Sequence, residues 1–296
     1  MSDANTQLAQ FIDAFDRDKI VADAAQIGKF DPQMLRKLLD TYLSEAKVGW
    51  ELIAADLSKH SRILEVGSGI GVLTAFLKSQ GYEILGLEPG EKGGFSFMTA
   101  LSQALMKQLE PGLVPQILDM GAEELSLEAH GSFDLIFSVH VMEHIMPLAQ
   151  ATKAMANVLK PDGKMRHLCP NYSFPYEPHL GIALVPFYPK ATRRIRPGPI
   201  NRQLGIWQAV NFITAFQISK LAKQSGLSCQ FEPAIMAQFF ARLQADPEFA
   251  SRHGGFIGMI GRIPILSKVM LFLLGSIPAK LATPMVMTLS HKTNSS

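Results

Sequence analysis

Apolar positions Leu8, Phe11, Ile12 and Phe15 recur at the spacing of one helix face, and a second helical run extends from Pro32 through Leu52. After residue 60 the period changes. Short apolar runs at 62–66, 83–87, 114–118, 133–139 and 164–169 read as strands, and helical patterns at 72–80, 95–109 and 148–159 lie between them. Pro161 and Gly163 stop the last of these helices. Strands that alternate with helices predict a parallel sheet, since each crossover helix returns the chain to the same edge.

Residues 170–199 are dense in proline, aromatic and basic side chains and too long for an ordinary connection, so they read as a substrate-side insertion. A helix over 212–224, ended by Gly226, precedes a strand at 228–232. A last strand falls at 284–291, and the apolar stretch 235–283 before it is a second insertion. The expected fold class is α/β: a doubly wound, Rossmann-like, mostly parallel sheet with an N-terminal helical cap and two C-terminal insertions. Its segments are a cap (1–60), a core (61–169), the first insertion (170–210), a core helix and strand (211–233), the second insertion (234–283), and the final strand with its tail (284–296).

The 47% hydrophobic content describes a globular chain with a sizeable core. Cys169 and Cys229 lie sixty residues apart, which suggests neither a disulfide framework nor a thiolate zinc site. The polar N-terminus lacks the features of a secretory signal, and the expected compartment is the cytoplasm. The net charge of +2 conceals an asymmetry: residues 1–177 carry 15 basic and 23 acidic groups, whereas 178–296 carry 13 and 3. Such a step points to different partners for the two parts.

In Ile63-Leu64-Glu65-Val66-Gly67-Ser68-Gly69-Ile70-Gly71 an apolar strand enters a turn whose glycines let the backbone approach a ligand. A dinucleotide fingerprint would want glycine where Val72 stands, and a phosphate loop would want a Lys-Ser/Thr pair that is missing. Glu65 instead offers a carboxylate to a cationic amine, which an anionic pyrophosphate would not welcome. Glu88, at the end of the second strand, reads alone as either a solvated strand-end acid or a carboxylate placed to grip both hydroxyls of a ribose, and the glycine turn upstream favours the second.

Together with Ala122-Glu123-Glu124-Leu125, Phe133-Asp134-Leu135-Ile136 and Val158-Leu159-Lys160-Pro161-Asp162-Gly163-Lys164, these residues resemble the class I S-adenosylmethionine-dependent methyltransferases. The resemblance covers 62–169. It implies S-adenosyl-L-methionine as cofactor, with Gly67, Gly69 and Gly71 facing its methionine part, Glu88 on the ribose, and Ala122 and Glu123 over the adenine. Ser68 and His140 complete the expected cofactor set. Gly121 stands where relatives often carry Asp, which leaves Glu123 or Asp119 for the adenine amino group. Val141-Met142-Glu143-His144-Ile145 and Cys169-Pro170-Asn171 are similar to quinone-precursor O-methyltransferases, which implies a small or lipid-like hydroxyl acceptor.

Methyl transfer from a sulfonium depends mostly on alignment and water exclusion, but a hydroxyl acceptor benefits from a base. His179 and His144 are the candidate catalytic residues, His179 the better one because Asn171, Tyr172 and Tyr176 share its loop. The competing reading of each is a structural histidine. His140-x-x-Glu143-His144 has the spacing of a metal-binding helical turn, yet Glu-His also occurs here as a local hydrogen-bonding element, and no metal is expected.

Lys190, Arg193, Arg194, Arg196 and Arg202 lie among Phe187, Tyr188 and Trp207 with no acid between Glu177 and Glu232, forming a candidate anion-binding rim. No nucleic-acid module is present in the pattern, and no nucleic-acid partner is expected. The 11-residue apolar run 269–279 is too short to span a bilayer, for which about 20 residues are needed. Basic residues punctuating apolar runs suit either a membrane-interface segment or an ordinary buried insertion. The expected function is O-methylation of an apolar or lipid-linked acceptor, anionic in part, in the cytoplasm or peripherally at the inner face of a membrane. The alternative is a cofactor-binding regulatory or membrane-associated protein without turnover.

Overall fold

A computed structural model describes residues 2–90, 96–245 and 264–292. Three helices open the chain: α1 (Ser2–Asp13), α2 (Arg17–Gly28) and α3 (Pro32–Ile53). Asp16 and Asp31 cap the second and third by accepting backbone N–H groups of the first turn, and Pro32 starts α3 where its missing donor costs nothing. Leu35, Leu39, Leu43, Ala46 and Trp50 make one buried face of α3. Trp50 meets Phe76 of α4 (Val72–Ser79) edge-on, with ring centroids 5.4 Å apart, so the cap is packed into the core beneath it.

The core continues through β1 (Arg62–Val66), α4, β2 (Glu83–Leu87), α5 (Ser96–Met106), β3 (Gln116–Leu118), α6 (Leu127–His130), β4 (Phe133–Val139), α7 (Leu148–Val158) and β5 (Leu159–Cys169). Then come the hairpin β6 (Tyr176–Glu177) and β7 (Ile182–Ala183) and the short helices α8 (Thr192–Ile195), α9 (Pro197–Arg202) and α10 (Leu204–Gln208). The remaining described elements are α11 (Ala215–Gln224), β8 (Leu227–Phe231), α12 (Ile235–Ala245), α13 (Pro264–Gly275) and β9 (Met285–His291). The large sheet runs β3-β2-β1-β4-β5-β9-β8. β1 to β5 pair in parallel, and β9 is inserted antiparallel between β5 and β8. This is the mostly parallel, doubly wound sheet with N-terminal helices that the pattern predicts.

One core layer joins α1 to α5 to the sheet, and the other joins α7, α11 and the first insertion to its opposite face. Strand order reverses between β1 and β4, opening a crevice at the carboxyl ends of those strands. Several boundaries differ from expectation. The helix expected from 212 begins at Ala215, because Phe212 adopts a positive φ of 56° and the Thr214 hydroxyl caps Gln217 N–H. β5 starts at Leu159 rather than 164, with a register shift opposite Phe133 and Leu135 that absorbs Pro161 and Gly163. Phe95 and 246–263 of the second insertion lie outside the described residues.

Candidate active site

Gly67, Gly69 and Gly71 all have positive φ, between 56° and 82°. At Gly67 the close approach is to the segment after β4: a Cβ there would lie 2.3 Å from Val141. At Gly69 it would lie 2.9 Å from the Tyr42 ring of α3. Only glycine satisfies both the dihedral and the space. The turn is therefore clasped between the cap helix and the segment after β4.

Glu65 ends in the cleft below this turn, beside Tyr42, Glu45, Ser68 and Val139. It is buried, and its carboxylate accepts the Thr74 hydroxyl. Burial pushes its carboxyl up to about 8; the Thr74 hydrogen bond opposes this and the neighbouring Glu88 adds to it. Glu88 accepts the Gly69 N–H at 2.7 Å and borders a second hollow with Thr99, Gln103 and Asp119. Burial raises its carboxyl to about 7, against the Gly69 hydrogen bond and with help from Asp119. Ser68 Oγ is buried without a hydrogen-bond partner. Two hollows that share Gly69, one with the buried Glu65 and the orphan Ser68 hydroxyl and the other with the half-buried Glu88, fit a ligand with a cationic amine and a ribose.

Ala122 is buried and opens a 3-10 turn, Ala122–Glu124. A Cβ at Gly121 would fall 2.4 Å from the Glu123 carboxylate, so that acid fills the space where an Asp side chain would start. Asp119 instead faces Glu88.

His140 takes a positive φ of 52°, and its Nδ1 lies 3.0 Å from Glu45 of α3. Burial alone would lower its pKa, but the Glu45 hydrogen bond and charge outweigh this and leave it raised. His140, held by Glu45, acts on Glu143 through its charge but is not part of the closest group of ligand-capable atoms, although it shares with Glu143 and His144 the spacing that suggested a metal turn. The ligand-capable atoms of Glu143, His144 and His179 converge instead, all within 4.8 Å of one another. That spacing leaves room for a small group between them.

Glu143 is fully buried, and neither carboxylate oxygen makes a hydrogen bond to another residue. Burial raises its pKa, while His140 and His144 work the other way. The backbone around it is pinned by Asn211, whose side-chain NH2 donates to Met142 and Ile145 carbonyls and whose N–H donates to the Glu143 carbonyl. His144 places Nδ1 2.9 Å from the Ala209 carbonyl, which leaves Nε2 directed at Glu143, 4.0 Å away. His179 stacks obliquely on His144 with centroids 5.4 Å apart. Its Nδ1 lies 2.6 Å from Glu177, the largest reason its pKa is raised.

Sequence reasoning did not single out Tyr42, Glu45, Thr74, Thr99, Gln103 or Glu177. One signal was available for α3: Gly49 interrupts a long helix at a cost of about 1 kcal/mol relative to alanine, and a Cβ there would lie 2.6 Å from Leu73. A mid-helix glycine of that kind marks a helix pressed against its neighbour.

A family model described as a methyltransferase domain matches residues 35–230. An uncharacterised protein of Mycobacterium tuberculosis, Rv1509, is 32% identical over 260 residues, covering 84% of this chain and 86% of its own. A ubiquinone biosynthesis O-methyltransferase of Bordetella bronchiseptica is 28% identical over 149 residues, 48% of this chain and 58% of that enzyme. Among solved structures, an S-adenosylmethionine-dependent methyltransferase of Mesorhizobium loti shares the fold with a TM-score of 0.50 at 17% identity, covering 81% of this chain and 96% of that one.

Proposed function

The chain belongs to the S-adenosylmethionine-dependent methyltransferases, and from that premise we propose that it methylates an oxygen of an apolar or lipid-linked acceptor, with His179 as the general base. One observation carries the choice of base. Both histidines beside the buried Glu143 have Nδ1 against a fixed oxygen, which leaves Nε2 for an acceptor, but only His179 has a carboxylate, Glu177, at that place, where His144 has a backbone carbonyl. Two basic nitrogens held as acceptors suit a hydroxyl that must lose its proton as it reacts.

The glycine turn, Glu65 and Glu88 would hold the cofactor, whose amine and ribose match the carboxylates of the cleft. When bound it supplies a methyl group on a sulfonium that departs as a neutral thioether, so the C–S bond breaks as the C–O bond forms. His179 Nε2 takes the hydroxyl proton. Glu143 stabilises the resulting imidazolium through the low-dielectric interior. The close approach of Val141 to Gly67 supports this reading, because an acceptor held by the segment after β4 would lie beside a cofactor held at the turn, with little room for water between them.

The test is incubation of small-molecule and lipid extracts with methyl-labelled cofactor, followed by mass spectrometry of the products. Labelled ether or ester products that disappear with His179→Gln support the reading. Labelled amines or thiols overturn the choice of oxygen, and cofactor binding without any product favours a regulatory protein.

A second observation supports peripheral membrane contact. Phe187 is 95% exposed, Tyr188 72% and Ile195 70%, and they stand among exposed Lys190, Arg193, Arg194 and Arg196. Aromatic and aliphatic side chains interleaved with bases suit an anionic lipid interface. No helix among the described residues is long and apolar enough to cross a membrane.

A further inference from the structure

We infer that Glu177 is a positioning residue for His179, holding the ring in the tautomer that carries its proton on Nδ1 and presents a bare Nε2 to the acceptor. The inference rests on the proposed role of His179 as base. Glu177 is 1% exposed, a costly place for a carboxylate unless donors surround it. Three do. His179 Nδ1 lies 2.6 Å and the Tyr172 hydroxyl 3.1 Å from Oε1, and Leu180 N–H donates to Oε2 at 2.7 Å.

The local fold explains how residues two apart come to face each other. Glu177 and Ile182 are paired across the β6–β7 hairpin, Gly181 turns its tip with φ of 64°, and Pro178 stands between the acid and the histidine. A side chain needed only to cap this turn requires one oxygen, for Leu180. The second oxygen is committed to the histidine and held from behind by Tyr172, which itself packs edge-on against Phe212 at 5.2 Å. An ionised acceptor on Nδ1 excludes the tautomer with a bare Nδ1 and strengthens Nε2 as a proton acceptor. Glu143 and His144 each bring a ligand-capable atom within 4.8 Å of one on this ring.

The experiment is long-range 1H–15N NMR of the histidine rings in the full chain, at a pH where His179 is neutral, with His179→Gln supplying the assignment. Wild-type protein should show the Nδ1–H form almost alone. Glu177→Gln should allow the Nε2–H form to appear and lower turnover 10-fold or more with cofactor KM unchanged, and Glu177→Asp should restore part of both. An Nε2–H signal from His179 in wild-type protein overturns the inference without recourse to any variant. So does an unchanged tautomer ratio in folded Glu177→Gln. If the tautomer follows Glu177 but His179→Gln retains full turnover, the base reading fails instead, and the catalytic meaning of Glu177 falls with it.

Discussion

The Glu88 carboxylate accepts the backbone N–H of Gly69 at 2.7 Å, so the acid at the end of β2 and the glycine turn after β1 form one unit. A ligand that takes hydrogen bonds from one must adjust the other. The turn is in turn pressed by Tyr42 above and Val141 beside it, which makes it a rigid cradle rather than a free loop.

Cofactor affinity should therefore respond sharply to two substitutions. Gly69→Val forces a β-branched side chain into positive φ and into the Tyr42 ring, a penalty of about 2 kcal/mol or more and a loss of about 30-fold. Glu88→Ala removes the proposed ribose acceptor and frees the Gly69 N–H, with a loss of about 10-fold or more. Calorimetry with S-adenosylmethionine and S-adenosylhomocysteine measures both. Tight NADH binding with no response to either would sink the cofactor assignment.

Binding should also release protons near neutral pH. Glu65 and Glu88 are held up to about 8 and about 7 by burial, so both are partly protonated at pH 7. A cationic amine beside Glu65 favours its charged form and lowers that value, so affinity should rise between pH 6 and 8. Calorimetry in buffers of different ionisation enthalpy reads the released protons directly. Glu65→Gln should lower the number released; no buffer dependence would show that both acids are already ionised.

Stability has its own pH signature in His167, which is fully buried, with Nδ1 2.7 Å from the Ser138 hydroxyl. Burial, with Arg166 nearby, lowers its pKa to about 3. The unfolded chain takes up this proton near pH 6.5 and the folded chain does not, so the contribution is present above 6.5 and lost as pH falls toward 3. By pH 5 the loss is about 2 kcal/mol. Urea unfolding from pH 5 to 7 should show the slope, and folded His167→Gln should flatten it.

Turnover should survive chelation. His140 is committed to Glu45, and Nδ1 of both remaining histidines is held so that Nε2 can accept a proton. Dialysis against a chelator followed by a labelled-cofactor assay checks this. Complete inhibition reversed by one divalent ion would establish a metal between Glu143, His144 and His179.

Vesicle binding should separate into two components. Salt should weaken the part carried by the exposed bases of the first insertion, each worth up to about 1 kcal/mol near an anionic surface. Exposed Phe187 and Tyr188, with Phe272 and Leu273 of α13, supply a salt-resistant part. Flotation with neutral and anionic liposomes over a salt series, with Phe187→Ser/Tyr188→Ser and Phe272→Ser/Leu273→Ser/Leu274→Ser variants, tests both. Intact protein that stays free of anionic vesicles at low salt overturns the membrane reading and leaves the methyltransferase untouched.

The strand-helix rhythm, the glycine turn and Glu88 were legible in sequence because each depends on local periodicity or on a turn a few residues long. Strand ends in a parallel sheet share one edge, so residues at the ends of β1, β2 and β4 were bound to meet. Tertiary structure decided the rest. Tyr42 and Glu45 reach the cleft because α3 folds back over the turn, and Glu45 holds His140 across 95 residues of sequence, so that His140 is not in the close ligand-capable group with Glu143 and His144. His179 joins the latter two because the β6–β7 hairpin carries it there, with Glu177 behind it. A spacing of three or four residues specifies neighbours on a helix, but here the chain leaves β4 in a positive-φ turn, and the partners of His140 and His144 come from other segments packed against it.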